Sequence, residues 1–522
     1  MSSNFPKLIT KPARVRIKLA DQKIREQISS PVVIKGSNLH FYHRLNQTYN
    51  KFKPLRLISA AWHKNTKNGD YFSILPHRPN KSTPRKLNSF ETFGLSAKVI
   101  SALLRNSFRW PTEIQQLSFP AILKRERHAA IFASTGSGKT LAYLTPIMQS
   151  IVDLSDSETL KKPRNPICVI LVPTNELCNQ VHDLCLKFSD LFNSAHVHSE
   201  MTPLEVIRVK EVVNEVVVGT PEGLTNVVKK GLIKFNQCRF LVIDESDSLL
   251  DNSFYPTIQQ ILSQLVLNDT NHAMLCKLVF CGATLPKNLD DILESYTGSN
   301  GEHLQMVQGS SVECVMGHVK HDFYRLAPSK VLLAIRSLLH ELVRKPGNIL
   351  IFCNSSSSVR KLSFFLQNEG FKHEAVYGDV DKHYRKNVMN LLRDGFVKVL
   401  ISTDVISRGF DTSNVSYVIN YDCPYHMSDY VHRAGRVGRI GQSSGGRVIT
   451  YVSRPYHAEV VREIEKSVRL HRPLMGVDSN IKQHFRNHSE IRRAEQYQQM
   501  VEAEEKAHSK VTRKSAKPYA VT

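Results

Sequence analysis

The chain has no apolar run approaching the ~20 residues of a membrane-spanning helix, so no such span is indicated. It also has no Cys-x-x-Cys pair. Its nine cysteines are an odd number and lie scattered along the sequence. This excludes a disulfide framework or a zinc ribbon as the organising device. It points instead to a reducing compartment, with the thiols acting as small buried hydrophobes. No short-period repeat is visible. The first twenty residues hold no acid, and acids stay scarce for some way beyond. Residues 1–89 carry 18 Lys and Arg against 3 Asp and Glu, a surplus of 15 out of the net +23 of the whole chain. A strongly basic arm on a moderately basic body suits a polyanionic partner, most simply nucleic acid, although a solvated leader would have the same composition.

What is present falls into segments. Lys7, Lys11, Arg14, Arg16 and Lys18 alternate with Leu8, Ile9, Val15, Ile17 and Leu19. This is the style of a mitochondrial targeting leader, expected over residues 1–30, with Pro6 and Pro12 interrupting any continuous helix. Residues 31–89 form a basic extension with interleaved aromatics such as Phe41, Tyr49, Trp62, Tyr71 and Phe72. These rings could stack on bases or pack as a small appendage. Pro76, Pro79 and Pro84 mark a linker.

From about residue 90 the pattern alternates between helix and buried strand. Strands are expected at 129–133, 167–172, 215–218, 240–243 and 277–281. A second series is expected at 319–324, 348–352, 373–377, 397–402, 415–420 and 446–452. This predicts an α/β protein with two tandem, doubly wound parallel-sheet domains, at 90–308 and 318–470, joined by a linker at 309–317. A length of 522 residues fits two such domains plus extensions. Residues 471–522 are polar and helix-prone, and form an expected tail.

Three segments carry chemistry. Ala133-Ser134-Thr135-Gly136-Ser137-Gly138-Lys139-Thr140 follows a short apolar run and precedes a helical stretch. Its glycines let backbone N–H groups curl around a polyphosphate. Lys139 can reach the outer oxygens, and the Thr140 hydroxyl can hold Mg²⁺. Asp244-Glu245-Ser246-Asp247 follows the apolar run 240–243, so Asp244 and Glu245 are expected at a strand's C-terminal edge. There they can hold Mg²⁺ and position a water. In 432–439, His-Arg-Ala-Gly-Arg-Val-Gly-Arg, the cations are spaced by glycine. Arginines in this spacing can reach a transferring phosphoryl group, a contribution worth ~10³–10⁵ in rate where one is used.

The ordered set of motifs resembles the DEAD-box RNA helicases, superfamily 2 ATPases with two RecA-like domains. The resemblance runs from about Phe90 to about Val452. Phe90 is similar to the isolated upstream aromatic, and Ser107 to Gln115 resembles the Q motif. The resemblance implies that Phe108 stacks on adenine and that Gln115 reads its edge. Residues 133–140 resemble the family's phosphate loop, which implies ATP contacts from Ser134, Thr135, Gly136, Ser137, Gly138, Lys139 and Thr140. Pro173-Thr174-Asn175-Glu176-Leu177 resembles motif Ia and Thr220-Pro221-Glu222-Gly223-Leu224 a worn motif Ib. Residues 244–247 stand where Asp-Glu-Ala-Asp is usual, and Gly282-Ala283-Thr284 where Ser-Ala-Thr is usual. Ile351-Phe352-Cys353-Asn354 resembles motif IV, and Gly378-Asp379 with Arg385 the segment after it. Residues 403–411 resemble motif V, so Thr403, Arg408 and Gly409 would hold RNA and Asp411 the ATP ribose. Residues 432–439 resemble motif VI, so His432 would couple the domains and Arg436 and Arg439 would act as arginine fingers. Thr174 and Thr220 complete the implied RNA groove.

The resemblance implies an ATP-dependent, Mg²⁺-using RNA helicase or remodelling ATPase acting as a monomer. The ATP residues are intact, but the first-domain RNA positions have drifted. Asn175 stands in place of an arginine, Glu222-Gly223 in place of Gly-Arg, Gly282 in place of a serine and Lys382 in place of a frequent glutamine. No Gly-Gly pair occurs in Ser194–Thr202. This pattern leaves open an RNA clamp that assembles ribonucleoprotein without unwinding, and a DNA translocase. The acid-poor leader and the Gly-Ala-Thr triplet are similar to those of mitochondrial DEAD-box proteins that act on large ribosomal RNA. The expected substrate is structured ribosomal RNA, with ribosomal or assembly proteins as further partners, in the mitochondrial matrix; a nuclear or nucleolar rRNA-processing helicase is the alternative.

Overall fold

The computed structural model describes residues 32–474 except 63–68, 77–87, 155–164, 251–253, 266–275, 310–318, 405–413, 439–445, nearly all of 285–303, part of 45–54 and 471–480, and a few isolated positions. The expected leader, almost all of the expected tail and most of the expected linker therefore lie outside the described residues.

Two strands come first, β1 (Val33–Gly36) and β2 (Tyr71–Leu75). They are followed by β3 (His128–Phe132), β4 (Cys168–Leu171), β5 (Ser194–Val197), β6 (Val216–Gly219), β7 (Phe240–Asp244), β8 (Lys277–Gly282) and β9 (Leu304–Gln308). The last group is β10 (Lys320–Arg325), β11 (Asn348–Phe352), β12 (Glu374–Val376), β13 (Val399–Ser402), β14 (Val415–Asn420) and β15 (Arg447–Val452). They build a seven-stranded sheet in the order β5-β6-β4-β7-β8-β3-β9 and an eight-stranded sheet in the order β1-β2-β10-β15-β14-β11-β13-β12.

The first sheet is wholly parallel. A parallel sheet covered on both faces calls for strands that are apolar at every position. β3, β4, β6, β7 and β8 are buried throughout. Helices Glu113–Leu123, Lys139–Leu154 and Asn175–Leu186 contribute to the core on one face. Pro221–Lys229 and Tyr255–Leu262 cover the other. Lys277, fully buried at the start of β8, donates its ammonium to Ala121 O at 2.6 Å and to Lys124 O. It thereby serves the open carbonyls where helix Glu113–Leu123 ends.

The second sheet departs from expectation. Residues 31–89 were expected to form a separate basic extension, yet β2 pairs antiparallel with β10 and β1 pairs with β2, so both strands belong to the second sheet. The reason lies in the apolar side chains of β1 and β2. Ile34, Phe72 and Ile74 are fully buried, and Phe72 stacks on Phe323 of β10 with centroids 4.7 Å apart. Trp62 packs in the same cluster. Ile34 and His43 exchange backbone hydrogen bonds of 3.0 Å, which occupies the outer edge of β1. The remaining strands of this sheet, β10 to β15, are parallel. Among the described residues no helix is long and apolar enough to cross a membrane, and the described cysteines are all free and buried.

Candidate functional site

Strand register assembles the first half of the site. Phe132 at the end of β3 pairs with Gly282 of β8, and Cys281 beside it pairs with Asp244 at the end of β7. The phosphate loop, the acidic segment and the Gly-Ala-Thr triplet therefore leave neighbouring strands at one C-terminal edge, where ligands of α/β sheets bind. The loop is locked to this edge by Ala133 N donating to Gly282 O at 3.2 Å. Gly136 (φ 76°) and Gly138 (φ 93°) are left-handed, a conformation that a side chain would strain. A Cβ on Gly138 would also come within 2.7 Å of Gln115 Nε2.

Lys139 opens helix Lys139–Leu154 and folds back on the loop, donating to Ala133 O (2.9 Å) and Ser134 O (3.1 Å). The hydroxyls of Thr135 and Ser137 are buried without a hydrogen-bond partner. Thr140 follows Lys139 on the first turn. The two left-handed glycines curl the segment from Ser134 to Thr140, and Ser137 N donates to Ser134 O at 3.3 Å within it.

Asp244 is 5% exposed. Burial pushes its carboxyl above the ordinary range. Lys139, a hydrogen bond from Tyr143 and one from the Glu245 N–H pull in the other direction. Tyr143 Oη donates to Asp244 Oδ2 at 2.9 Å, and Glu245 N donates to Oδ1 at 2.9 Å. Burial keeps the Tyr143 phenol neutral and hence a donor. Glu245 is held left-handed at φ 48°, a strained state for a non-glycine residue of the sort that concentrates at functional sites. Asp247 accepts from Ala283 N (3.2 Å), Thr284 N (3.1 Å) and Thr284 Oγ1 (3.0 Å) through one oxygen.

The second domain closes on this edge. His432 Nε2 lies 3.5 Å from Asp247 Oδ2. Gly435 lies so close to the loop that a Cβ there would overlap Thr135 Oγ1 at 1.7 Å. Arg385 reaches Glu176 of the first domain at 3.6 Å. Arg436, next to Gly435, is 2% exposed, and its Nε donates to His432 O at 3.3 Å. The arginine beside it plays another part. Arg433, fully buried, donates to both oxygens of Asp404 at 2.6 Å and to Asn354 Oδ1 at 2.7 Å. Burial opposes its charge, but the carboxylate of Asp404 outweighs burial and keeps it cationic. Arg408, Gly409, Asp411 and Arg439 lie outside the described residues.

The residues around the expected adenine pocket hold a surprise. Phe108 has Phe188 stacked against it, centroids 6.3 Å apart, and follows Ser107, which is strained at φ 66°. Gln115 is 4% exposed, and both ends of its amide are engaged within the protein. Thr112 N donates to Oε1 (2.9 Å), and Nε2 donates to Gly138 O (3.0 Å). One N–H and one lone pair of Oε1 are left for the expected amide contact with adenine. Here Gln115 ties its own segment to the phosphate loop.

Thr174 and Thr220 cap helices. Thr174 Oγ1 accepts from Leu177 N (3.2 Å) and Thr220 Oγ1 from Gly223 N (3.3 Å). Each helix start carries an acid in its first turn, Glu176 and Glu222. Gly223 is required for packing, since a Cβ there would lie 2.7 Å from His198 Cα. The Thr403 hydroxyl is buried without a partner. Tyr143, Asp247 and Arg433 were missed as individual site residues by sequence reasoning. Asp247 and Arg433 lie inside motifs that gave a signal, but spacing alone gave them no role of their own, and Tyr143 lies four residues beyond the loop lysine with no motif of its own.

With this geometry established, known proteins give a consistent comparison. The family model described as DEAD/DEAH box helicase matches residues 112–292, and the one described as Helicase conserved C-terminal domain matches residues 331–441. A human protein described as probable ATP-dependent RNA helicase DDX28 is 32% identical over 503 residues, covering 90% of this chain and 92% of its own length. The ATP-dependent RNA helicase DBP2 of Encephalitozoon cuniculi is 29% identical, covering 74% of this chain and 78% of its own. Among solved structures, S. cerevisiae Dbp5 bound to RNA and ADP BeF3 superposes with a TM-score of 0.61 at 22% identity, covering 73% of this chain and 93% of its own. Mss116p bound to ssRNA and AMP-PNP superposes with a TM-score of 0.63 at 22% identity, covering 75% and 79%. Both support the fold.

Proposed function

The chain belongs to the DEAD-box family of ATP-dependent RNA helicases, and from that premise we propose that it closes on single-stranded RNA when ATP is bound and releases it on hydrolysis. Membership makes the chain an ATP hydrolase that binds ATP and RNA. The proposal concerns which residues do the work. Lys139 turns from the carbonyls of Ala133 and Ser134 to the outer phosphates, and the loop N–H groups and the unpaired hydroxyls of Thr135 and Ser137 take the remaining oxygens. Glu245 orients the attacking water. Arg436 and Arg439, brought in by the second domain, stabilise the charge that develops on the phosphoryl group. Phe108 and Asp411 hold the base and the ribose. Gln115 senses the loop through Gly138 as well as the base.

The donor set fits Mg²⁺. Asp244 is a buried carboxylate whose pKa is raised, a group that a cation would stabilise in its charged form. Thr140 and Asp244 would hold the ion, which would neutralise phosphate charge. RNA would run over Thr174, Thr220, Thr403, Arg408 and Gly409. What supports this reading is the close approach of Gly435 to Thr135, which brings the segment that holds Arg436 beside the phosphate loop.

The finer reading is a structured ribosomal RNA substrate, with assembly proteins, in the mitochondrial matrix. The acid-poor composition of residues 1–30 supports it. A non-unwinding clamp is the second reading, favoured by Asn175 and Glu222 on the first-domain RNA side. Lys139→Ala is expected to abolish RNA-stimulated turnover with an unchanged melting curve. Glu245→Gln is expected to keep ATP and RNA binding but slow hydrolysis by about 10²–10⁴-fold. Near-normal turnover in Lys139→Ala would mean that this is not the working nucleotide site. RNA-stimulated turnover without strand displacement by the wild type would select the clamp. Crosslinking to RNA in cells tests the substrate and the compartment together.

A further inference from the structure

Two departures from the family pattern meet in space. Ser246 stands where the resembling family has alanine, and Gly282 where it has serine. Gly282 ends β8 and Ser246 opens the helix Ser246–Leu249 just beyond the neighbouring β7, whose Asp244 pairs with Cys281. Ser246 is fully buried, and its Oγ has no hydrogen-bond partner. A Cβ built on Gly282 would lie 3.1 Å from that Oγ, 3.2 Å from Phe132 Cε1 and 3.2 Å from Thr284 O. The niche is tight: a side chain at 282 would require Ser246 Oγ, Phe132 or the Thr284 carbonyl to give by a few tenths of an ångström, so it favours one hydroxyl-bearing side chain, from position 246 or from position 282, over two.

We propose that Ser246 is a positioning residue for ATP hydrolysis, supplying from the acidic segment the hydroxyl that Gly282 does not carry. On this view glycine at 282 is no loss of function; it is the space that the Ser246 hydroxyl requires. The place of Ser246 in the chain says what it positions. On one side is Glu245, strained at φ 48°. On the other is Asp247, which gathers Ala283 N, Thr284 N and Thr284 Oγ1 and faces His432 of the second domain. Any movement of the second domain that shifts Asp247 must pass through Ser246 to reach Glu245. A buried hydroxyl left unpaired is costly, so it is retained where another state of the site gives it a partner. With ATP bound, that partner is a water or backbone carbonyl at the junction. Pairing then fixes the backbone that aims the Glu245 carboxylate.

This inference rests on the nucleotide-site reading above, and the test separates the two. Ser246→Ala, Gly282→Ser and the double variant are compared with wild type in RNA-stimulated kcat, KM for ATP and strands displaced per ATP hydrolysed. Ser246→Ala is expected to lower kcat by roughly tenfold with KM unchanged, the lower end of what is lost when a supporting hydrogen bond is removed. Gly282→Ser alone is expected to fall further, because its side chain meets Ser246 Oγ. The double variant moves the hydroxyl across the junction and is expected to recover to within about threefold of wild type, a non-additivity that only contacting residues show. Ser246→Cys puts a somewhat larger and only weakly hydrogen-bonding group in the same place, and is expected to behave like Ser246→Ala. It decides the matter even if Gly282→Ser fails to fold. Wild-type kcat in Ser246→Ala or Ser246→Cys would overturn the proposal, as would a folded double variant no better than its worse parent. If Lys139→Ala abolishes turnover while Ser246→Ala is silent, only this inference falls. If Lys139→Ala is active, the nucleotide-site reading falls with it.

Discussion

The two sheets are built from the chain in different ways. The first takes all its strands from one continuous stretch, β3 to β9, whereas the second takes β10 to β15 and then borrows β1 and β2 from a region that precedes the first domain. The chain therefore passes between the domains twice, once after β2 and once after β9. The amino-terminal region is part of the second domain, and any opening of the cleft is limited by two connections. What holds the borrowed segment is a buried carboxylate. Glu465 of helix His457–Leu470 is fully buried and accepts from Ile58 N (3.0 Å), Ser59 N (3.0 Å) and Ser59 Oγ (2.6 Å). Arg469 donates to Glu465 at 2.8 Å, and also to Tyr49 Oη and Phe41 O.

The sharpest way to break this comparison is Glu465→Ala. It strands Arg469 and three donors in the interior, and breaking a buried, hydrogen-bonded pair costs about 3–5 kcal/mol. Denaturant unfolding is expected to lose this amount from the second domain, while ATP binding by the first domain persists. An unchanged midpoint would show that the borrowed segment rides on the surface without supporting the domain.

A smaller effect should appear with pH, again in the second domain. Burial, helped by Arg454, Arg325 and Arg433, lowers the pKa of His457 to about 3. The folded state thus holds this imidazole neutral, while the unfolded chain takes up a proton near the ordinary value. Its contribution is fully present above pH ~6.5 and is lost as pH falls from there towards 3, at about 1.4 kcal/mol per pH unit. His457→Asn is expected to flatten the acid limb of stability by about 2 kcal/mol between pH 6.5 and 5. Identical acid limbs in the two proteins would mean that His457 is open to water.

Why the second sheet surprises is visible in its residues. Parallel strands buried on both faces are continuous apolar runs, and β3, β4, β6, β7 and β8 announced themselves in that way. β1, β2, β5 and β9 are edge or near-edge elements with mixed burial. Val-Ile-Lys-Gly and Ser-Ala-His-Val carry too little periodicity to be seen. The pairing of β2 with β10 joins residues more than two hundred positions apart, which no local pattern encodes. The site divides similarly. Lys139, Asp244, Glu245 and Arg436 were legible because phosphate chemistry dictates residue type and spacing. Tyr143 and Arg433 were not, because a buried hydrogen bond or ion pair depends on which side chains the fold brings together.

The smallest expected effect separates the two faces of the first domain, the intact nucleotide edge and the drifted RNA side. Helix Pro221–Lys229 and helix Asn175–Leu186 begin beneath Thr220 and Thr174, and helix starts favour phosphate. Here each carries an acid in its first turn, and Asn175 adds no charge. Glu176 is engaged with Arg385 across the cleft, so it has a task. Glu222 is exposed, and on the reading proposed above it lies beside the RNA. Asn175→Arg with Glu222→Gln changes the local charge by two units, which for a single strand steepens the salt dependence by a log–log slope of about 1.4. RNA affinity with an ATP analogue is expected to rise about tenfold at low salt, roughly 1.4 kcal/mol. The gain should shrink steadily through a salt series. Arg408→Ala should weaken binding more than Asn175→Ala does. If Asn175→Ala proves equally damaging, the first domain grips RNA through neutral contacts at these helix starts, and the drift at Asn175 and Glu222 is no sign of a clamp.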